Sequence, residues 1–354
     1  MIEQEKEIRK KEREISMVTK RELVQMALEL KKPPRIPVAL LGGGAWAVRH
    51  AGTTFAAIKN DPERIAEVFV RFCRLVGNAL LWTGSNFLNY PAHCLGAPIK
   101  DDSADYPALE GTVLQSLDGL DHLSVEKVLR HPTMQAIIRS HHRVADQVGK
   151  ETFVMPTQWA PFTLAARILG VERLLMASIE DPDRLLRLIR FATDLIRSIL
   201  EQVLDHPDIP GTNFSDPVAS CDVISPAAFR RFAAPFLAQL CQWVKAKGKY
   251  CEIHICGNTT PLLADLLTIE PHAFSVENKV NLKEAKSVLG GNVCVVGNVS
   301  PTGPFLSGTP AEVIAEAQAC LKAWGDDGGY ILATGCDFSN QVPLENMLAL
   351  MSVN

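Results

Sequence analysis

YCEIHICGNTTPLLADLLTIEPHAFSVENKVNLKEAKSVLGGNVCVVGNVSP, residues 250–301, decides the fold. Three short apolar runs, CEIHIC, HAFSVE and NVCVVG, alternate with TTPLLADLLTI and NLKEAKSVL. The short runs are rich in Val, Ile and Phe and read as strands. The segments between them carry apolar residues at three- and four-residue spacing and read as helices. Each connection is long enough for a parallel crossover, so the stretch is a βα repeat.

The pattern continues outward. After a loop rich in Pro and Gly come a helix (TPAEVIAEAQACLKAW), a strand (GYILAT) and a closing short helix (PLENMLAL). Toward the N-terminus, GTNFSD (211–216) reads as strand and loop. SPAAFRRFAAPFLAQLCQWVKAKG reads as one helix from a Ser225 cap to a terminal glycine. DPDRLLRLIRFATDLIRSILEQVL is a long amphipathic helix, PFTLAARIL a shorter one, and ETFVMPT a strand ending in a loop. Residues 124–149 read as helix with a break at Pro132, and residues 61–77 as helix capped by Asp61. Residues 78–123, rich in Asn, Pro and Gly, read as irregular. IPVALLGGG is a short strand entering a flexible loop or lid; its glycines lack the Lys-Ser/Thr ending of a phosphate-binding loop.

Residues 1–30 read as a helical extension, stopped by KKPPR. No G-x-G-x-x-G follows the first strand, which disfavours a dinucleotide fold. About eight units over roughly 350 residues fit a (β/α)8 TIM barrel. The expected organisation is the extension, 1–30, followed by one barrel catalytic domain, 31–354.

The chain of 354 residues is 47% hydrophobic and 21% charged, enough to supply a large core and to exclude global disorder. A net charge of -4 argues against a nucleic-acid surface. The basic clusters RKKER and KAKGK read as solvated faces. Apolar stretches are broken within about a dozen residues, short of the roughly 18 that span a membrane. The first residues carry no apolar secretion core. The expectation is a cytoplasmic protein whose nine cysteines are free thiols, most of them filling apolar positions.

In a barrel of this kind, chemistry gathers where strands end. Asp216 ends GTNFSD, His254 and Cys256 end CEIHIC, Glu277 follows HAFSV, Asn298 follows VCVVG and Cys336 follows YILATG. Strand residues two apart face the same way. His254 and Cys256 therefore share a face, with Glu252 one layer deeper, while Cys251, Ile253 and Ile255 face the other side. Nitrogen and sulfur donors suit zinc, and three protein ligands with one open position mark a catalytic site. Cys336 is the natural third donor. A satisfied core histidine beside buried thiols is the alternative, and spacing alone leaves both open. Asp216 can cap the following turn and Glu277 can pair with Lys279, or both can orient His254. His141 and His142 read as solvated on a polar helix face.

Several motifs carry a resemblance. DPVAS (216–220) followed by ISPAAFRRF, HICG (254–257), SVENK (275–279), GNVSP (297–301) and GC…PLEN (335–346) closely resemble the uroporphyrinogen decarboxylase superfamily. More narrowly, they resemble its zinc-dependent corrinoid methyltransferase branch, the methylcobamide:coenzyme M methyltransferases and their relatives. APFTLAARILG (160–170) resembles the family's GPxTLA segment. The resemblance implies a (β/α)8 barrel and one Zn2+ held by a His-x-Cys pair and a distant Cys, matched here by His254, Cys256 and Cys336. It also implies a corrinoid (cobamide) carried by a separate corrinoid-binding protein that docks over the barrel mouth. Asn298 and Asn258 are the expected cofactor-side residues, with Asp216 and Glu277 beside the catalytic triad.

The implied reaction moves a methyl group between a small substrate and cobalt. Arg49, Trp46, Trp82, Tyr90, Gln158 and Trp159 are the expected pocket residues. Aromatic walls would suit a methoxylated aromatic donor; a thiol acceptor such as coenzyme M would place its sulfonate on Arg49. The decarboxylase's MRQAGR segment is absent, with GGGAWAVRHAG standing in that region. A uroporphyrinogen-type decarboxylase and a non-catalytic, zinc-stabilised barrel acting as an assembly partner are the alternatives. The sequence is also compatible with a homodimer.

Overall fold

A computed structural model of the chain describes residues 18–353. Its eight parallel strands are β1 (Val38–Ala39), β2 (Leu80–Thr83), β3 (Phe153–Trp159), β4 (Gly211–Ser215), β5 (Tyr250–Ile255), β6 (Ala273–Val276), β7 (Cys294–Val299) and β8 (Tyr330–Thr334). Each pairs with the next from β2 to β8, and β8 pairs with β1. At the β1/β2 seam a side chain replaces the ladder. The buried Asn78 amide accepts from Leu40 N and donates to Leu40 O, both at 3.0 Å. The result is the expected (β/α)8 barrel, nearly closed.

Alternate residues of these strands belong to two cores, as a period of two requires. Val154, Phe214, Ile253, Phe274, Val295 and Leu332 face outward into the layer beneath the helices. Phe153, Met155, Ala273, Cys294, Val296 and Ile331 face the lumen. The lumen core also takes Val24, Ala27 and Leu28 from helix Lys20–Leu28, which plugs the N-terminal end of the barrel. That helix starts in a capping box between Thr19 and Glu22, which satisfies two otherwise unpaired N–H groups. Toward the strands' C-terminal ends the lumen turns polar, with Thr157, Asn213, Glu252, His254 and Ser275 all buried. The fold thus seals one end and leaves the other for chemistry.

The structure departs from the sequence expectations in four places. The stretch 78–123 holds β2, helix Tyr90–Leu95 and an antiparallel ribbon of Ile99–Lys100 with Ala108–Leu109. The segment 226–246 is two helices, Pro226–Phe232 and Ala234–Ala246, because Pro235 disfavours continuous helix through the residues before it. β3 runs on to Trp159. His141 is buried, not solvated: it lies on the apolar stripe of helix Pro132–Val148 with Ile137, Val144 and Val148. Its Nδ1 meets Thr83 Oγ1 at 2.9 Å, and burial pulls its pKa down to about 3. His142 is half-buried, with Nε2 3.1 Å from the Gln202 carbonyl. The RKKER cluster and the first part of the N-terminal extension lie outside the described residues. Among those described, no helix is long and apolar enough to cross a membrane.

Candidate metal centre

β5 delivers His254 to the lumen, and the chain turns immediately after Cys256. Gly257 makes that turn at φ +76°, where a Cβ would lie 2.3 Å from an Asp222 carboxylate oxygen, so the position requires glycine. The turn brings Cys256 Sγ to 3.2 Å from His254 Nε2. Cys336, just beyond β8, places its Sγ 3.5 Å from both Cys256 Sγ and His254 Nε2. Among the described residues this is the one such grouping of three whose donor atoms lie within 4.8 Å of one another. Zinc–sulfur and zinc–nitrogen bonds of ordinary length, set tetrahedrally, separate neighbouring donors by roughly 3.6–3.8 Å. The triangle found here is close to one face of that tetrahedron, so the residues fit a zinc ion.

The imidazole is held in a fixed orientation. His254 Nδ1 lies 3.0 Å from Ser275 Oγ on the neighbouring strand β6, which leaves Nε2 facing the thiols. Burial works to lower the His254 pKa, but Cys336, Glu252 and Glu277 together outweigh it and the net direction is upward. The hydrogen bond with Cys256, together with burial, pushes the Cys336 thiol up.

The nearby carboxylates do other work than orienting that ring. Glu277 accepts from Gly257 N and fixes the turn. Lys279 pairs with Asp222 at 2.7 Å, not with Glu277. Asp216 accepts from Thr163 N at 2.9 Å and Thr163 Oγ1 at 2.6 Å, anchoring the start of helix Pro161–Leu169. Among the described residues its other oxygen has no partner, and burial raises its pKa to about 7. Asn298 donates to the carbonyls of Glu277 and Val280, at 3.0 and 2.8 Å, and so braces the loop after β6. Asn258 accepts from Thr260 N at 3.2 Å. Below His254, Glu252 accepts from Trp82 Nε1 at 3.1 Å, and burial raises its pKa to about 8.

The donor triangle opens on a cavity of about 80 Å3, walled by Trp82, Leu88, Tyr106, Trp159, Pro217 and Asp337. Of the aromatic side chains expected in the pocket, Trp82 and Trp159 line it. Trp46 donates to the Val342 carbonyl at 2.9 Å and stacks on His50. Tyr90 is buried against Asp101 at 2.7 Å. Gln158 points away from the lumen, since its neighbours Thr157 and Trp159 face the cavity. Arg49 is exposed and donates to Asn340 at 3.2 Å. Asn340 in turn holds Asp105 at 2.7 Å, on the ribbon loop that carries Tyr106.

Sequence reasoning did not single out Ser275, Tyr106 or Asp337. Ser275 had a signal, being two residues before Glu277 on the same strand period. Asp337 adjoins Cys336. It accepts from Gly43 N at 2.7 Å, and a Cβ on Gly42 would lie 2.3 Å from its carboxylate. The glycine loop at 42–44 therefore serves close approach to this carboxylate. Tyr106 reaches the site only through the ribbon; its hydroxyl donates to the Ser85 carbonyl at 2.9 Å.

Comparison with known proteins bears on the family and the fold. The family model described as Uroporphyrinogen decarboxylase (URO-D) matches residues 19–353. Methylcobamide:CoM methyltransferase MtaA of Methanosarcina barkeri is 27% identical over 227 residues, covering 64% of each chain. The match thus spans just under two thirds of that relative's length. Methylcobamide:CoM methyltransferase MtbA of Methanosarcina mazei is 26% identical over 257 residues, 72% of this chain and 74% of the other. A solved structure, a methyltransferase from Methanosarcina mazei, superposes with a TM-score of 0.85 at 25% identity, over 95% of this chain and 98% of that one. The chain belongs to the uroporphyrinogen decarboxylase family and, within it, resembles the methylcobamide:CoM methyltransferase branch.

Proposed function

We propose that the chain is a zinc-dependent methyltransferase that moves a methyl group between a small substrate and the cobalt of a corrinoid carried by a separate protein. The grouping of His254, Cys256 and Cys336 at the barrel mouth, opening on a small cavity, carries this reading. Bound zinc would supply Lewis acidity in its open position and hold a substrate thiol deprotonated.

The chain's own residues supply the rest. Two thiolates and a neutral imidazole cancel the charge of a divalent ion. Ser275 fixes the imidazole, and Glu277 fixes the turn that sets Cys256. Trp82 and Trp159 exclude water and align a small ligand between them, which favours an in-line displacement. The cavity is far below the roughly 300–1,000 Å3 of pockets for drug-sized ligands. That size suits a thiol or a methoxylated ring better than a tetrapyrrole macrocycle.

The test pairs metal analysis with transfer. Purified chain should carry stoichiometric zinc. It should methylate a Co(I) corrinoid protein from a methoxylated aromatic, or demethylate methyl-Co(III) with a thiol. Absence of zinc, or a Cys336→Ala variant that keeps both zinc and transfer, would contradict the proposal. Metal-free turnover of uroporphyrinogen would support a decarboxylase instead. Unfolding on zinc removal without any exchange of an added thiol would support an assembly role.

A further inference from the structure

We infer that the barrel floor beneath the metal centre binds one internal water molecule, held by Thr157, Asn213 and Glu252, and that this water keeps Trp82 in place as a wall of the cavity. The three residues stand on the adjacent strands β3, β4 and β5 and pair in register, Thr157 with Asn213 and Asn213 with Glu252. Val154, Phe214 and Ile253 face outward, so a period of two turns all three side chains into the lumen. They form one layer, directly below the pair of Ser215 and His254.

Each residue carries a polar atom that is buried and, among the described residues, without a partner: Thr157 Oγ1, Asn213 Nδ2 and Glu252 Oε1. The residues are 1%, 0% and 0% exposed. One such atom left dry is unfavourable, and three in one layer are more so. Neighbouring strands lie only about 4.8 Å apart, so the three side chains converge.

The chemistry of these atoms selects the occupant. Ser215 Oγ donates to Asn213 Oδ1 at 2.9 Å, so the amide offers its N–H donors to the layer. Trp82 Nε1 donates to Glu252 Oε2 at 3.1 Å, which leaves Oε1 as the free acceptor. Thr157 can give or accept. A cation would need oxygen from all three, and Asn213 presents nitrogen. A water accepts from Asn213, donates to Glu252 and closes a third bond with Thr157, the usual number for an internal water. A ligand in the cavity does not reach these atoms. Thr157 alone of the three residues lines the cavity, and its hydroxyl is buried.

The water completes a circuit under the metal centre. Ser215, on the cavity wall, bonds Asn213; the water joins Asn213 to Glu252; Glu252 accepts from Trp82. Trp82 meets the His254 ring edge-on, with centroids 5.5 Å apart. Without the water, Glu252 is held through one oxygen and Trp82 loses a fixed acceptor. Thr157, Asn213 and Glu252 are thus positioning residues that act through Trp82. None of them is a metal donor, so the water site stands or falls apart from the zinc reading.

Crystal structures of the full chain with and without mercaptoethanol test the site. In both, one ordered water should lie about 2.7–3.2 Å from Thr157 Oγ1, Asn213 Nδ2 and Glu252 Oε1. An unoccupied layer, the three side chains bonded to one another, a metal ion there, or a mercaptoethanol atom in place of the water would overturn the inference. In solution the Trp82 indole N–H reports the positioning; its NMR signal is the one lost in Trp82→Phe. Asn213→Leu should speed its exchange with deuterium about tenfold, the effect of one hydrogen bond. Thr157→Val should speed it about threefold, and Thr157→Ser, which keeps the hydroxyl, should restore the wild-type rate. If Asn213→Leu does not fold, the two Thr157 variants carry the test. Exchange unchanged in Asn213→Leu, or equal in Thr157→Val and Thr157→Ser, would overturn the positioning role.

Discussion

His254 and His141 are both buried, 3% and 2% exposed, and each sets Nδ1 against a hydroxyl, Ser275 at 3.0 Å and Thr83 at 2.9 Å. The far side of each ring differs. His254 turns Nε2 to two thiols and a cavity. His141 turns its ring to Gly84, where an added methyl would sit 2.7 Å from Cε1 and 3.2 Å from Nε2. The pKa directions follow the surroundings: Cys336, Glu252 and Glu277 together hold His254 up against burial, while burial takes His141 down to about 3. The Nδ1 bond orients either ring, and what Nε2 meets decides between chemistry and packing.

That comparison breaks most readily at the donors. His254→Ala or Cys336→Ala should weaken zinc binding by at least about a hundredfold, read by competition with a chromophoric chelator. His141→Ala should leave zinc affinity unchanged and cost about 2–4 kcal/mol of stability in urea unfolding. Loss of zinc in His141→Ala would erase the distinction.

The next effect is pH dependence. In the unfolded chain a histidine takes its proton near pH 6.5; in the fold His141 does so only near 3. Between those values the unfolded state holds the extra proton, so stability rises with pH across the window and is lost as pH falls through it. From about pH 6.5 to about pH 5 the loss should be on the order of 2 kcal/mol, and His141→Gln should abolish it. Equal pH slopes for wild type and variant would place His141 in water.

Smaller still is the hydroxyl that orients His254. Ser275→Ala should reduce zinc affinity about tenfold, while Thr83→Val should leave it unchanged. The smallest effect concerns a third histidine. On the outward face of β5, Cys251 Sγ lies 3.4 Å from His272 Nδ1, under helix Ala234–Ala246. Cys251→Ala should keep full zinc content and cost about 1 kcal/mol of stability.

The regular half of the chain was legible because its strands are long enough to show a period. CEIHIC alone placed His254 and Cys256 on one face and Cys251 on the other, and the two cores follow that division. β2 was not legible. LLWT is four residues, buried throughout, and shows no alternation. His141 was misread because His142 and Arg143 beside it are polar, whereas its own stripe is apolar. Glu277 and Asp216 stand at strand ends as expected, but their partners, Gly257 N and Thr163, come from other loops. Tyr106 reaches the cavity only by tertiary placement, on a ribbon, and no local pattern marks it.

X-ray absorption of the zinc-loaded chain reads the ligands of the metal centre itself. Two sulfurs are expected at about 2.3 Å and one imidazole nitrogen at about 2.0–2.1 Å, with a light atom in the fourth position. Adding a thiol should raise the sulfur count to three, and Cys336→Ala should lower it by one. A zinc shell without sulfur, or a sulfur count indifferent to both changes, would rule out His254, Cys256 and Cys336 as the zinc ligands.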